Sequence, residues 1–338
     1  MLLCAAALAA LGAARPKPLP PEARMPPLPP AVHDDTLAIG GEDIDARKLR
    51  TRMTVAVNLN GTGPYRFVVD SGADTTVIGE RVARALALPA GTPILMNSMT
   101  DSGAVERVRL GELQLGPTTI PDLHLPVLKE RDLGAQGMIG LDALVEQRLM
   151  MDFEKRVISV DDARRPAPRF DGEIVVTARM RRGQLILTEA RAVGHPVDAV
   201  IDTGSEITIG NLALRDRLIR RNRDKFTTVA VTGVTGVTVD MQLATIAELK
   251  LGPVILRNVP IAFAEVPPFA VFGLSDRPAL LLGTDLMETF RKVSLDFRAR
   301  KVRFQLRRCT AEGIVLSTSP DNFTRLAPAP GAIESCRR

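Results

Sequence analysis

The chain has 338 residues, no Trp, one Tyr and few aromatics, so its core is expected to be aliphatic. Its 44 basic and 39 acidic residues leave a net charge of +5 spread along the sequence, which argues against a nucleic-acid surface. The three histidines, His33, His124 and His195, are scattered without metal-ligand spacing or a nucleophile motif, and no phosphate-binding glycine loop occurs.

In chain order, Leu2 to Ala14 is an apolar, alanine-rich run ending in small residues. It reads as a signal peptide over residues 1–14, too short to span a bilayer, so the protein is expected to be exported to the periplasm or beyond. Residues 15–35 are proline-rich and read as a stiff linker or leader. A first lobe is expected over 36–165. Within it, Thr54 to Asn60 followed by Gly61-Thr62-Gly63 reads as a strand entering a turn. Phe67-Val68-Val69-Asp70-Ser71-Gly72-Ala73-Asp74 places a carboxylate inside an apolar strand, and Glu80 to Leu88 has helical spacing. A polar, glycine-containing stretch, Asn97 to Ala104, precedes Gly111-Glu112-Leu113-Gln114-Leu115-Gly116-Pro117. Met138-Ile139-Gly140-Leu141-Asp142, Met151-Asp152-Phe153 and a closing strand at Val157 to Val160 follow.

A second lobe over 170–308 repeats the series. Gly172 to Thr177 is the expected counterpart of the first strand. Ala199-Val200-Ile201-Asp202-Thr203-Gly204-Ser205 answers the first acid, and Asn211 to Ile219 answers the helix. Ala247 to Pro253, Leu281-Leu282-Gly283-Thr284-Asp285, Leu295-Asp296-Phe297 and Val302 to Leu306 complete the copy. The offset is 132 residues between Asp70 and Asp202 and grows to 144 between Asp152 and Asp296, as loop insertions would cause. The run Arg215 to Arg223 reads as a solvated helix face. The tail, 309–338, has no core pattern, and Cys309 and Cys336 bracket it as a candidate disulfide for an oxidising compartment.

An ionised Asp flanked by Val or Ile is costly to bury unless it is paired. The same arrangement twice points to two acids that meet and share a proton, one acting as base and the other as acid.

The apolar-apolar-Asp-Ser/Thr-Gly-Ala/Ser turns resemble those of aspartic proteases. Asp70-Ser71-Gly72-Ala73-Asp74-Thr75-Thr76 is especially similar to the retropepsin-like (retroviral-type) branch, and the two Gly-x-Asp elements resemble the second half of that family's motif pair. The resemblance covers about residues 36 to 308. It implies an all-β fold of two pseudo-symmetric acid-protease lobes, each a closed β barrel with one short helix. It implies a catalytic pair, Asp70 and Asp202, in one chain that acts as a monomer with an internal pseudo-dimer. The active-site turns would be Ser71, Gly72, Ala73 and Thr203, Gly204, Ser205. Ser71 and Thr203 would bond across the lobes, and Gly72 and Gly204 would leave room for a substrate backbone. Flaps from Thr100-Asp101-Ser102-Gly103 and Thr232-Gly233-Val234 would close over a bound peptide. Neither flap holds a Tyr, unlike pepsin-like enzymes. Gly140 and Gly283 would allow close backbone approach. Asp142 and Asp285 are expected to cap the helices that follow.

The chemistry so implied is hydrolysis of a polypeptide by an activated water, with no metal or organic cofactor, no nucleic acid and no stable membrane span. Copy two departs from copy one with Glu206 in place of Asp74. Two other readings stay open: a peptide-binding protein of the same fold without turnover, and a protease that pairs Asp70 with Asp70 between two chains.

Overall fold

The computed structural model describes residues 52–164, 167, 172–218, 226–307 and 315–318. The 1–14 and 15–35 segments, His33, Cys309 and Cys336 lie outside them.

Lobe 1 opens with β1 (Thr54–Leu59) and β2 (Thr62–Val69), then β3 (Val77–Gly79) and helix α1 (Glu80–Ala85). A hairpin of β4 (Ile94–Asn97) and β5 (Ser102–Val105) precedes the long pair β6 (Arg107–Leu115) and β7 (Thr118–Leu128). Helix α2 (Glu130–Leu133), β8 (Gly137–Ile139) and helix α3 (Leu141–Leu144) end the lobe, and β9 (Gln147–Asp152) and β10 (Val157–Asp162) lead out of it. Lobe 2 runs through β11 (Glu173–Arg181), β12 (Gln184–Ala192), β13 (His195–Ile201), β14 (Ile209–Gly210) and helix α4 (Leu212–Leu218). It continues with β15 (Thr227–Thr232), β16 (Thr238–Leu251), β17 (Val254–Phe263), helix α5 (Pro267–Val271), β18 (Ala279–Leu282) and helix α6 (Thr284–Met287). The last strands are β19 (Phe290–Asp296), β20 (Lys301–Leu306) and β21 (Val315–Thr318).

Alternation shapes these strands. In β1, Val55, Val57 and Leu59 point into the core while their neighbours face out. Asn60 and Gly61 both take left-handed backbone (φ 47° and 73°), the requirement of a tight hairpin turn, and Asn-Gly meets it with little strain.

Strands β1, β2, β8, β3, β7 and β6 close into a barrel. In lobe 2 the path β12, β13, β18, β14, β17, β16 follows the same order, and the β16 pairing with β12 returns it on itself. In each lobe one strand, β8 or β18, runs parallel to the strand that delivers the acid and antiparallel to the strand that follows the turn. The acid therefore emerges where two strands have been wedged apart.

The lobes are joined by a sheet in the order β10, β9, β19, β20, β11. Its centre pairs β9 with β19 antiparallel, Met150 opposite Ser294. These two residues are repeat equivalents, so a pseudo-two-fold axis passes between them. Across this seam Arg148 Nε meets Asp296 Oδ2 at 2.9 Å, and Lys292 Nζ meets Asp152 Oδ2 at 3.3 Å. The core is aliphatic apart from a few phenylalanines such as Phe67, Phe263, Phe290 and Phe304, and one cluster spans both lobes.

Three features differ from expectation. Among the described residues each lobe carries three short helices, because β-to-β connections beside the wedged strands also coil for a turn. The topological counterpart of β1 is β12, whereas Glu173–Arg181 pairs with β20 in the joining sheet. The tail supplies β21, which adds to β17. No helix among the described residues is long and apolar enough to cross a membrane.

Candidate active site

The wedged strands bring Asp70 and Asp202 to the lobe interface at the floor of one cleft of about 490 Å³. The Asp70 N–H donates to the Ile139 carbonyl (2.9 Å) and the Asp202 N–H to the Leu282 carbonyl (3.0 Å), pinning each acid to its wedge strand. Each turn then folds back on its own carboxylate. Gly72 and Ala73 N–H donate to Asp70 Oδ1 at 2.8 and 3.0 Å, and Gly204 and Ser205 N–H donate to Asp202 Oδ1 at 3.0 and 3.1 Å. The two carboxyl groups face one another closely enough for each to shift the other's protonation.

Gly72 and Gly204 are required by this approach. A Cβ on Gly72 would lie 2.7 Å from the Asp202 carboxyl carbon, and one on Gly204 would overlap the Asp70 carboxyl. Beneath the acids, Ser71 and Thr203 form a reciprocal lattice. Thr203 Oγ1 donates to the Val69 carbonyl (2.8 Å) and accepts from Ser71 N–H (2.9 Å). Ser71 Oγ donates to the Ile201 carbonyl (2.8 Å) and accepts from Thr203 N–H (3.1 Å). Four buried bonds thus fix the relative position of the two turns.

Gly140 and Gly283, not Asp142 and Asp285, occupy the N-cap positions and make no side-chain bond there; Asp285 Oδ1 does accept from Leu286 N–H (2.8 Å) in the first turn of its own helix. Both carboxylates reach back to the acid-bearing loops. Asp142 accepts from Thr76 N–H (3.0 Å) and Thr76 Oγ1 (2.5 Å), and that hydroxyl accepts from Gly140 N–H (3.1 Å). Asp285 accepts from Thr208 N–H (2.9 Å) and Oγ1 (2.7 Å), and Thr208 Oγ1 accepts from Gly283 N–H (3.1 Å). A helix start was the natural reading of Gly-x-Asp, but the Thr lies 66 or 77 residues away in sequence.

The flap hairpins meet over the cleft. In flap 1, Thr100 and Asp101 lie at the tip while Ser102 and Gly103 begin β5; in flap 2, Thr232 ends β15 and Gly233 and Val234 begin the tip. Asp101 Oδ1 accepts from Ser98 Oγ (2.5 Å) and from Thr235 Oγ1 of the other flap (2.6 Å). Each tip crosses over. Met99 joins Ile207, Val229 and Val231 against a buried lobe 2 cluster that includes Ile209 and Met241, and Val234 joins Ala73 against the lobe 1 cluster of Val77 and Met138. These two apolar clusters flank the acids.

Sequence reasoning missed Arg52, Gln184, Thr76, Thr208 and Thr235. The first four carry a signal in the repeat: the 132-residue offset aligns Arg52 with Gln184 and Thr76 with Thr208. His124 and His195 lie outside the cleft and exposed. Among the described residues no cluster of His, Cys, Asp and Glu could hold a metal ion.

Burial sets the acids' protonation. It pushes the Asp202 carboxyl up to about 8, the Asp70 charge adding to the rise. Burial also raises Asp70, opposed by the Gly72 and Ala73 N–H groups and by the Arg52 charge. Burial lifts Asp285 to about 6 and raises Asp142, against their Thr bonds. These four acids hold protons more tightly in the folded than in the unfolded chain. Their contribution to stability is complete below the unfolded value of 3.8 and is lost as pH rises through the folded values, to about 8 for Asp202. The urea midpoint is therefore expected to be higher at pH 5 than at pH 8, and Asp202→Asn to flatten the fall between pH 6 and 8. A midpoint that climbs over that span would contradict the buried setting of the pair.

Two barrel lobes with a facing carboxyl pair between them, roofed by hairpins, define the acid-protease class. The sequence profile of the aspartyl protease family matches residues 55–143 and 188–286, more than half of the chain, in two tandem regions. The chain belongs to the aspartyl protease family. No curated protein matches it.

Proposed function

We propose that this chain is an exported aspartic endopeptidase whose Asp70 and Asp202 act together on a water held between them. The observation that carries the reading is the pair of facing carboxyl groups at the floor of a roofed cleft. One acid ionised and one protonated is the state such a pair favours, since two charges at contact repel. The carboxylate removes a proton from the water, which attacks the peptide carbonyl. The protonated partner hydrogen-bonds the carbonyl oxygen and then supplies a proton to the leaving amine. The peptide lies extended under both flaps, held by main-chain bonds as an added strand is. The apolar clusters around Ile207 and Val77 favour aliphatic or aromatic side chains on both sides of the cut bond. Export rests on the apolar 1–14 run.

Full-length protein and protein lacking residues 1–35 are each incubated with a mixed peptide library from pH 3 to 8. Cleavage of extended peptides, with apolar residues at the cut, is the expected result. A folded protein that binds peptides but cuts none at any pH supports the binding reading instead. Gel filtration with activity on the fractions addresses pairing between chains: an active monomer rules out a site made from two copies of Asp70.

A further inference from the structure

The two sides of the acid pair differ in charge. The β1–β2 register sets Thr54 opposite Val68, and the Val69 N–H donates to the Met53 carbonyl at 3.2 Å, so Arg52 falls opposite Asp70. The β12–β13 register sets Ile186 opposite Val200, so Gln184 falls opposite Asp202. Arg52 and Gln184 are repeat equivalents, and each crosses to the acid four positions beyond the other lobe's catalytic Asp. Arg52 Nε donates to Glu206 Oε1 at 2.9 Å; Gln184 Nε2 donates to Asp74 Oδ1 at 2.7 Å. A guanidinium therefore stands beside Asp70, where a neutral amide stands beside Asp202.

The charged side chains lining the cleft besides the pair are Arg52, Asp74, Glu206 and, from α2, Asp132; the roof adds Asp101. Arg52 is the one cation among the described residues of that lining. Its side chain is 18% exposed, so water screens it only in part. We propose that Arg52 breaks the symmetry of the pair, holding Asp70 as the carboxylate and leaving the shared proton on Asp202. Asp70 is then the base toward water and Asp202 the acid toward the carbonyl oxygen, an assignment of roles that rests on the peptidase reading; the placement of the proton itself does not. Burial works in the same direction, because Asp202 is buried and Asp70 only half-buried, and the drier carboxyl keeps its proton. The Arg52 charge acts on Asp70 and is not among the larger influences on Asp202.

The test follows the carboxyl carbons of Asp70 and Asp202 by carbon-13 NMR titration of the full chain, assigned through Asp70→Asn and Asp202→Asn. Asp70 is expected to ionise first. Arg52→Gln gives lobe 1 the amide that lobe 2 already carries, and should raise the lower ionisation step by about one pH unit. Glu206→Gln breaks the same ion pair from its other end but leaves Arg52 uncompensated, and should lower that step. Arg52→Lys, which keeps the charge, should restore it towards its original position. Shifts of the same sign in Arg52→Gln and Glu206→Gln, or Asp202 ionising first, overturn the proposal. In active protein the acidic limb of kcat/KM should move with the NMR step. Opposite shifts without cleavage sink the peptidase reading alone; cleavage with unmoved steps sinks this assignment alone.

Discussion

Asp202→Asn is expected to lower peptide hydrolysis by about 10³-fold, within the range that a positioned acid or base contributes, and Asp70→Asn to do the same. Each variant should keep the native circular dichroism. The amide oxygen of Asn can still accept the N–H bonds that Gly204 and Ser205, or Gly72 and Ala73, give to Oδ1. The amide can neither donate an acidic proton to the amine nor take one from water. Because Asn is neutral, it also removes the penalty of ionising a buried carboxyl, so Asp202→Asn should be at least as stable as the parent at pH 8. The assay is initial rate on the best library peptide, with unfolding in urea alongside. Full activity in either variant would end the two-acid mechanism.

Arg148→Met is expected to cost about 3–5 kcal/mol of stability, read as a drop in the urea midpoint. Arg148 and Asp296 side chains are only 5% and 3% exposed, in the middle of the joining sheet. Removing the guanidinium strands the Asp296 carboxylate, which retains its bond from the Ala299 N–H but loses its counter-charge. The double variant Arg148→Met/Asp296→Leu should recover most of the loss, since a buried pair can often be replaced by apolar groups of similar size. Lys292→Met should cost less. That ammonium is 19% exposed, and its partner Asp152 also accepts from the Glu154 and Lys155 N–H groups. Equal costs for the two single changes would show that burial does not govern the seam.

The acids and their turns were legible because the information is local. A carboxylate in an apolar strand followed by Ser-Gly or Thr-Gly is a conspicuous mismatch, and its repetition with matched flanks argues against chance. The barrel order was legible in kind, since short alternating strands without βαβ spacing have few ways to close. Pairing was harder. Glu173-Ile174-Val175-Val176 has a stronger strand pattern than Gln184–Ala192, whose alternation is broken where the register shifts between Leu187 and Ala190. Pattern alone does not say which neighbour a strand takes, so the stronger segment drew the wrong partner. Asp142 and Asp285 show the same limit: their bonds to Thr76 and Thr208 depend on the wedged strand bringing distant segments together. The contact between flap tips at Asp101 and Thr235 joins residues 134 apart and exists only once both lobes are assembled.

The axis between Met150 and Ser294 relates the halves without making them identical. In a cleft built from two copies of one chain, every side chain occurs on both sides, and a peptide laid in either orientation meets the same walls. Here Arg52 faces Gln184 across the axis, Glu206 faces Asp74, and the tip of one flap presents Met99 where the other presents Val234. Turning a peptide end for end would exchange all of these neighbours. The cleft therefore has a left and a right, and the two orientations of one peptide in it are not equivalent.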